Sequence, residues 1–108
     1  MKGEATFEVS PQHPAFPGHF PGRPIVPGVV LLDEVLRILE QVQHITIGHC
    51  TIAWAKFRSS AAPGQPLTLR YEQKPDGSTR FTIRTPLHIV ADGLVTISPA
   101  VAQVSDVS

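Results

Sequence analysis

The chain has 108 residues, 42% hydrophobic and 17% charged, which is enough apolar material for one domain over residues 1–108 and too little length for a second. Nine basic and nine acidic residues give a net charge of zero, and no two basic residues are adjacent, so neither nucleic acid nor an anionic membrane is an expected partner. With one cysteine, Cys50, and no apolar stretch long enough for a signal peptide or a membrane span, the sequence predicts a cytoplasmic protein with no disulfide and no metal site.

The first part of the chain predicts a strand followed by a long loop. Apolar residues at 5, 7 and 9 alternate with polar ones, which is the period of a half-buried strand of about six residues. Residues 11–27 hold six of the eleven prolines, and each proline lacks an N–H and disfavours helix in the residue before it. We therefore expect residues 11–27 to form a stiff loop without regular structure.

One helix is predicted over about residues 28–45, between Pro27, which favours the first turn, and a stop near Gly48. Most of its apolar residues fall on one face and its polar residues on the other. Val29 and Val30 are exceptions, because they lie on the side that later becomes polar. The helix is therefore expected to begin fully buried and to become amphipathic further on.

The sequence from about residue 49 to residue 98 predicts four antiparallel strands, because apolar and polar residues alternate along it. One of these strands is expected over about residues 79–91, with a bulge or an edge position at Pro86. The aromatic residues Trp54, Phe57 and Tyr71 are expected in the core or in an interface, with no role in chemistry.

Three dipeptides predict the turns of this sheet: Pro63-Gly64, and the hairpin signals Asp76-Gly77 and Asp92-Gly93. The resulting order is strand, loop, helix and a four-stranded antiparallel meander. This is an α+β domain whose sheet curls around the helix. The exposed sheet edges of such a small unit predict a homodimer that joins two sheets.

Residues 18–35, GHFPGRPIVPGVVLLDEV, carry the most specific motif in the chain. They closely resemble the active-site motif of the 3-hydroxyacyl-[acyl-carrier-protein] dehydratases. In that family a His opens H-F-x-G-x-P-x-x-P-G, and an acidic residue follows fourteen positions later on the central helix of a hotdog fold. His19 and Asp33 take these two positions. Asp is typical of the 3-hydroxydecanoyl branch, whereas Phe20-Pro21-Gly22 is typical of the long-chain branch, so the branch stays open.

Removing water across C2 and C3 of a 3-hydroxyacyl thioester needs a base, a stabiliser for the charge on the thioester oxygen, and an acid for the leaving hydroxide. The resemblance implies His19 as the base, with its other ring nitrogen held by the backbone carbonyl of Ile25. The backbone N–H of Gly28, at the positive end of the helix, would bind the oxygen. Asp33 would assist the departing hydroxyl, and the resemblance implies that it acts from the opposite subunit.

Arg37 departs from the family, which commonly has Gln at this position. It follows Asp33 by four residues, a spacing that favours an ordinary surface ion pair. A neighbouring guanidinium lowers the pKa of a carboxyl group, whereas a proton donor needs that pKa raised. Three interpretations stay open: Arg37 points elsewhere, Asp33 acts as a carboxylate that orients the hydroxyl or a water, or activity is low.

The resemblance implies a hydro-lyase that needs no metal or other cofactor and forms a trans-2-enoyl thioester. Its substrate would be carried on the phosphopantetheine of an acyl carrier protein, in fatty-acid synthesis or a related pathway such as polyene or modified-lipid synthesis. The expected assembly is a homodimer or an oligomer of dimers. Two alternatives stay open: a hotdog thioesterase, and a non-catalytic acyl-binding or scaffold subunit that partners another hotdog chain.

Overall fold

The computed structural model describes residues 1–12 and 25–101, and within these ranges the chain forms one helix and five strands. The predicted loop over residues 11–27 lies largely outside the described residues, and so does His19. The elements in chain order are β1 (Lys2–Phe7), α1 (Gly28–Gln43), β2 (Ile47–Phe57), β3 (Leu67–Gln73), β4 (Thr79–Arg84) and β5 (Ile89–Pro99).

The strands form one antiparallel sheet in the order β1-β3-β4-β5-β2. The predicted meander is correct for β3, β4 and β5 but wrong for β2, which pairs with β5 and lies at the edge opposite β1. Residues 58–66 separate β2 from β3. This connection is longer than a hairpin loop of about two to five residues, so it can carry the chain across the sheet.

Two of the three predicted turns are confirmed. Gly64 has φ +79° and Gly77 has φ +91°, a region that glycine enters without steric cost. Gly77 lies in the hairpin between β3 and β4, where the Lys74 N–H donates to the Ser78 carbonyl oxygen at 2.7 Å. The carboxylate of Asp76 accepts the Ser78 N–H at 2.9 Å and closes the same turn.

The predicted hairpin at Asp92-Gly93 is wrong, because both residues lie inside β5. Gly93 pairs with Ala55 of β2 on one side and with Phe81 of β4 on the other. A Cβ atom at Gly93 would come within 2.6 Å of the Phe81 ring and 2.7 Å of the Trp54 carbonyl oxygen. Close packing, and not a turn, requires glycine here.

The single strand predicted over residues 79–91 is also wrong, since these residues form β4, a tight turn and the start of β5. The Thr85 N–H donates to the His88 carbonyl oxygen at 2.9 Å. The Thr85 hydroxyl oxygen accepts the N–H groups of Leu87 and His88, each at 3.2 Å. Pro86 therefore lies in a turn, where its missing N–H is harmless.

The apolar face of α1 packs against the inner face of the sheet and forms the core. Its buried residues on the helix are Val30, Leu31, Val35, Ile38 and Leu39. The sheet contributes large, fully buried side chains to the same core, among them Phe81, Ile83, Leu67 and Leu69. The expectation of a fully buried first turn is wrong at Val29, which is 64% exposed. Val29 lies one turn before the exposed Asp33, on the side of the helix that faces away from the sheet.

Candidate active site at the start of the helix

A groove of about 560 Å³ opens beside the first turn of α1. One wall consists of residues 25–28 together with Leu31, and the other consists of Phe57, the last residue of β2, and residues 58–60. Most of the lining surface is apolar, with the hydroxyls of Ser59 and Ser60 and the side chain of Arg58 as polar exceptions. A groove of this size and character suits an acyl thioester.

Backbone hydrogen bonds fix the two walls relative to each other. The Val26 N–H donates to the carbonyl oxygen of Ala61 at 2.8 Å, which joins the walls directly. The N–H groups of Arg58 and Ser59 both donate to the Val90 carbonyl oxygen, at 2.8 and 3.2 Å, which ties the second wall to β5. The groove is therefore built from backbone segments that the sheet and the helix hold in place.

The first N–H donors of the helix lie at this groove. Pro27 is the N-cap residue in an extended conformation (φ −60°, ψ 146°), and no side chain of the described residues caps the helix. Its carbonyl oxygen accepts the N–H groups of Val30 and Leu31 at 3.0 and 3.3 Å. Within residues 1–12 and 25–101, the N–H groups of Gly28 and Val29 have no acceptor. The Gly28 amide therefore lies beside the groove at the positive end of the helix, and its role as an oxygen-binding donor stays a prediction.

The absence of a side chain at Gly28 leaves room for the ring of Phe57. A Cβ atom at Gly28 would lie 2.8, 2.9 and 3.2 Å from three carbon atoms of that ring. The Phe57 ring is nevertheless 50% exposed, because it lies at the end of an edge strand. Phe57 was expected only in the core or an interface. Its position at the groove depends on the pairing of β2 with β5, which local sequence patterns do not encode.

Asp33 is exposed on α1, five residues after Gly28 and about 7.5 Å further along the helix axis. The predicted ion pair between Asp33 and Arg37 is not formed. Arg37 instead donates to the Glu34 carboxylate from Nε at 3.2 Å and from Nη2 at 2.8 Å. Arg37 therefore pairs with the carboxylate three residues before it, and no salt bridge joins it to Asp33 among the described residues.

The remaining predicted site residues are His19 and Ile25. His19 lies outside the described residues, so the geometry between it and the Gly28 amide stays a prediction. Ile25 is the first described residue after that segment, and it lines the groove with its side chain 44% exposed. Its carbonyl oxygen is the atom expected to orient His19.

A buried carboxylate next to the groove was missed by the sequence interpretation. Asp92 is 4% exposed and accepts two hydrogen bonds from Arg58, at 2.9 and 3.2 Å, and one from Arg80 at 3.2 Å. The hydrogen bonds from Arg58 lower the pKa of Asp92, against the effect of burial. The Arg80 guanidinium also lies 5.1 Å from the centroid of the Trp54 ring. These contacts join β2, β4 and β5 behind the groove wall that carries Arg58.

Other kinds of site were also sought. Among residues 1–12 and 25–101, no three His, Cys, Asp or Glu side chains are grouped closely enough to hold a metal ion. In the same part of the chain, α1 lacks the length and apolarity that a membrane-crossing helix needs. Burial raises the pKa of the Cys50 thiol, which makes it a poor nucleophile at neutral pH.

The curved antiparallel sheet with one helix packed on its inner face is a hotdog fold, which solved structures with TM-scores above 0.6 confirm. The dehydratase heterocomplex ApeI:P from Xenorhabdus doucetiae aligns with a TM-score of 0.73 at 21% identity, covering 89% of this chain and 86% of that one. An uncharacterised protein from Erwinia carotovora aligns with a TM-score of 0.67 at 26% identity, over 91% and 83% of the two chains. The fluoroacetyl-CoA thioesterase FlK aligns with a TM-score of 0.62 at 14% identity, over 92% and 86%.

The chain belongs to the ApeI-like family, whose model is described as ApeI dehydratase and matches residues 2–93. The resemblance to 3-hydroxyacyl-[acyl-carrier-protein] dehydratases is confirmed. The FabZ enzyme of Gluconacetobacter diazotrophicus is 32% identical over 75 residues, which cover 61% of this chain and 47% of that protein. The FabZ enzyme of Klebsiella pneumoniae is 31% identical over 88 residues, which cover 71% and 58%. The chain spans about half the length of the curated relatives it matches.

Proposed function

We propose that this chain dehydrates a 3-hydroxyacyl thioester, carried on the phosphopantetheine of an acyl carrier protein, to the trans-2-enoyl thioester. One observation carries the proposal: in a member of a dehydratase family, the helix begins beside a largely apolar groove with an amide, Gly28 N–H, that has no acceptor among the described residues. A fatty-acid or related acyl-chain pathway, such as polyene or modified-lipid synthesis, would supply the substrate.

In the proposed reaction the thioester oxygen accepts the Gly28 N–H while His19 removes a proton from C2. The C3–O bond breaks, the C2–C3 double bond forms, and the hydroxide leaves as water. A preorganised donor aimed at the developing oxyanion typically contributes about 3–4 kcal/mol to lowering the barrier. The carbonyl of Ile25 would hold the second ring nitrogen of His19 and so fix the tautomer in which the first can accept a proton.

Asp33 would give a proton to the departing hydroxyl, or orient it, from the opposite subunit. Its exposure on the outer side of α1 is compatible with a role across an interface. Because Arg37 is engaged by Glu34, it does not compete for the Asp33 carboxylate. This supports the first of the three interpretations of Arg37, in which it points elsewhere. A base, an acid and an amide donor suffice for this elimination, so we propose that no cofactor takes part.

The same site requires a partner, and we propose a second copy of the chain. β2 is an edge strand of 11 residues, nearly twice the length of the other edge strand, β1, with 6. Ile52 is 43% exposed on β2, and a long edge strand with exposed apolar side chains tends to pair with another strand. Pairing of β2 with its copy would give a homodimer, from which an oligomer of dimers could form.

A second candidate is a subunit of a heterodimer, in which the partner is a different hotdog chain. The solved structure with a TM-score of 0.73 is itself a heterocomplex, ApeI:P. In that case the chain alone would bind acyl thioesters weakly or without turnover, and activity would appear on mixing.

Partner contact is tested by blocking each sheet edge in turn. Ile52→Lys places a charge on the β2 edge and is expected to give an inactive monomer by light scattering. Thr6→Lys, at the exposed edge strand β1, is the matched control and should leave both dimer and activity intact. An Ile52→Lys variant that stays dimeric, or a monomer that turns over substrate, would contradict the shared site.

The reaction itself is tested with 3-hydroxyacyl and saturated acyl thioesters of several chain lengths on acyl carrier protein. The parent protein should produce enoyl absorbance from the hydroxyacyl thioesters, and His19→Ala and Asp33→Ala should abolish it. His88→Ala, at an exposed histidine in the β4–β5 turn, is the matched control and should retain activity. Free thiol released from both substrate classes would identify a thioesterase instead. If the chain shows no activity at any chain length, alone or with a second hotdog chain, the result would identify a non-catalytic scaffold subunit.

A further inference from the structure

The ring of Phe57 closes the side of the groove next to the Cα atom of Gly28. Resting on the function proposed above, we propose that Phe57 is a specificity-determining residue that excludes acyl thioesters carrying a substituent at C2. The preferred substrates would be 3-hydroxyacyl thioesters unbranched at that carbon. The sequence interpretation gave Phe57 no role.

The distances show how little space the ring leaves. A single carbon attached to Gly28 would lie 2.8 to 3.2 Å from three ring carbons, and carbon atoms in van der Waals contact are about 3.5–4.0 Å apart. The ring therefore already fills the volume beside the Gly28 Cα. A bound thioester must approach the Gly28 N–H from the open mouth of the groove, with its carbon chain passing along the exposed edge of the ring.

The backbone that carries the ring is held from several directions. Phe57 is paired with Ala91 of β5, and the next two residues donate their N–H groups to Val90. The Ser59 hydroxyl donates to the Ile89 carbonyl oxygen at 2.8 Å. The Arg58 side chain is held by the buried Asp92 through two hydrogen bonds. The backbone that carries the ring is therefore fixed, and only rotation of the Phe57 side chain could make room for a bulkier group.

The position of C2 follows from the chemistry. A thioester oxygen bonded to the Gly28 N–H lies about 2.9 Å from that nitrogen, and C2 is attached to the same carbonyl carbon. In the proposed pose a methyl group on C2 contacts the wall that Phe57 forms, because the Phe57 ring is the side chain nearest to the Gly28 Cα atom on that side. A pocket that must accept or reject one methyl group typically discriminates by about 10- to 200-fold.

The experiment compares two pantetheine thioesters, 3-hydroxybutanoyl and 3-hydroxy-2-methylbutanoyl, the second as both C2 epimers. For each, kcat/KM for dehydration and the Kd by calorimetry are measured with the full chain. The parent should favour the unbranched compound by about tenfold or more in both quantities. In Phe57→Ala the preference should fall to within about threefold, and in Phe57→Leu it should be intermediate.

Leu87→Ala is the matched control, because Leu87 is 88% exposed in the β4–β5 turn and should leave the preference unchanged. Thermal melting of each variant checks that it is folded, and Phe57→Leu decides the result if Phe57→Ala does not fold. Equal use of the two compounds by the parent, or a preference that survives in Phe57→Leu and Phe57→Ala, would overturn the inference. Discriminating binding without turnover would support the role of Phe57 while refuting the dehydratase. Turnover of both compounds without discrimination would support the dehydratase and refute the role of Phe57.

Discussion

The two ends of α1 are completed in different ways. At its C-terminal end, His44 adopts a left-handed conformation (φ 56°, ψ 44°) and donates its N–H back to the helix, and the Ile45 N–H donates to the Glu40 carbonyl oxygen at 3.2 Å. At its N-terminal end the described residues supply neither a side-chain cap nor an acceptor for the Gly28 amide. The N–H donors at the N-terminal end are therefore the ones that the proposed function assigns to the thioester oxygen.

The largest expected effect comes from removing the open donor. Gly28→Pro deletes the N–H at a helix position that tolerates proline, and we expect kcat to fall by about 10²- to 10³-fold. Steady-state kinetics with an unbranched 3-hydroxyacyl thioester measure this. Gly28→Ala is the control for bulk, because it keeps the N–H while forcing the Phe57 ring to move. An equal kcat for Gly28→Pro and Gly28→Ala would mean that the amide itself contributes nothing.

A side-chain cap at the N-terminal end of α1 should raise the stability of the protein and lower its activity. Pro27→Asp supplies a carboxylate that can accept a helix N–H, which typically stabilises a helix by about 0.5–2 kcal/mol. The same negative charge lies beside the developing oxyanion, so we expect kcat/KM to fall by at least about tenfold. Urea denaturation and kinetics on the same variant measure both changes. A Pro27→Asp variant that is more stable and fully active would contradict the claim that activity needs the uncapped N-terminal end of α1.

The sequence predicted the helix, its start at Gly28 and the two glycine turns because each depends on residues close together in the chain. Gly77 needs a positive φ whatever surrounds it, and Pro27-Gly28 marks the start of a helix locally. The role of Gly93 could not be predicted from nearby residues, because glycine is required there by the Phe81 ring on a neighbouring strand. The Asp-Gly dipeptide is the same in both places, and only the sheet order separates a turn from a close contact.

The charged pair behind the groove was missed for the same reason. Arg58 and Asp92 are 34 residues apart, and they meet because β2 pairs with β5. No local pattern in the sequence assigned a partner to Arg58. Arg37 shows a different limit. Its spacing from Glu34 and from Asp33 allows an ion pair with either residue, and only the side-chain geometry shows that Glu34 is the partner.

A smaller effect is expected at the wall of the groove. Asp92→Asn keeps the shape of the side chain but loses the charge that holds Arg58, so the melting temperature should fall by several degrees at pH 7. The folded-state pKa of Asp92 is lowered, so its contribution is present above the unfolded pKa of about 3.9 and is lost as the pH falls through the folded value. The stability difference between parent and variant should therefore shrink on acidification below about pH 4. A difference that stays constant down to pH 2 would contradict the assignment.

The smallest effect is expected at the closed end. His44→Gly relieves the left-handed conformation and should stabilise the protein by about 0.5–1 kcal/mol, with kcat/KM unchanged. The same substitution at His49, in the extended strand β2, is the control and should destabilise the protein. Thermal melting of the two variants checks this. A loss of activity in a stabilised His44→Gly would show that the C-terminal end also takes part in function.

The central claim is that the Gly28 amide receives the thioester oxygen, and a crystal structure with a non-reactive amide analogue of 3-hydroxyacyl-pantetheine tests it most directly. The account predicts the carbonyl oxygen of the analogue at about 2.7–3.1 Å from the Gly28 nitrogen, with the acyl chain against Phe57. An analogue bound elsewhere, with its carbonyl oxygen out of hydrogen-bond reach of Gly28, would contradict it.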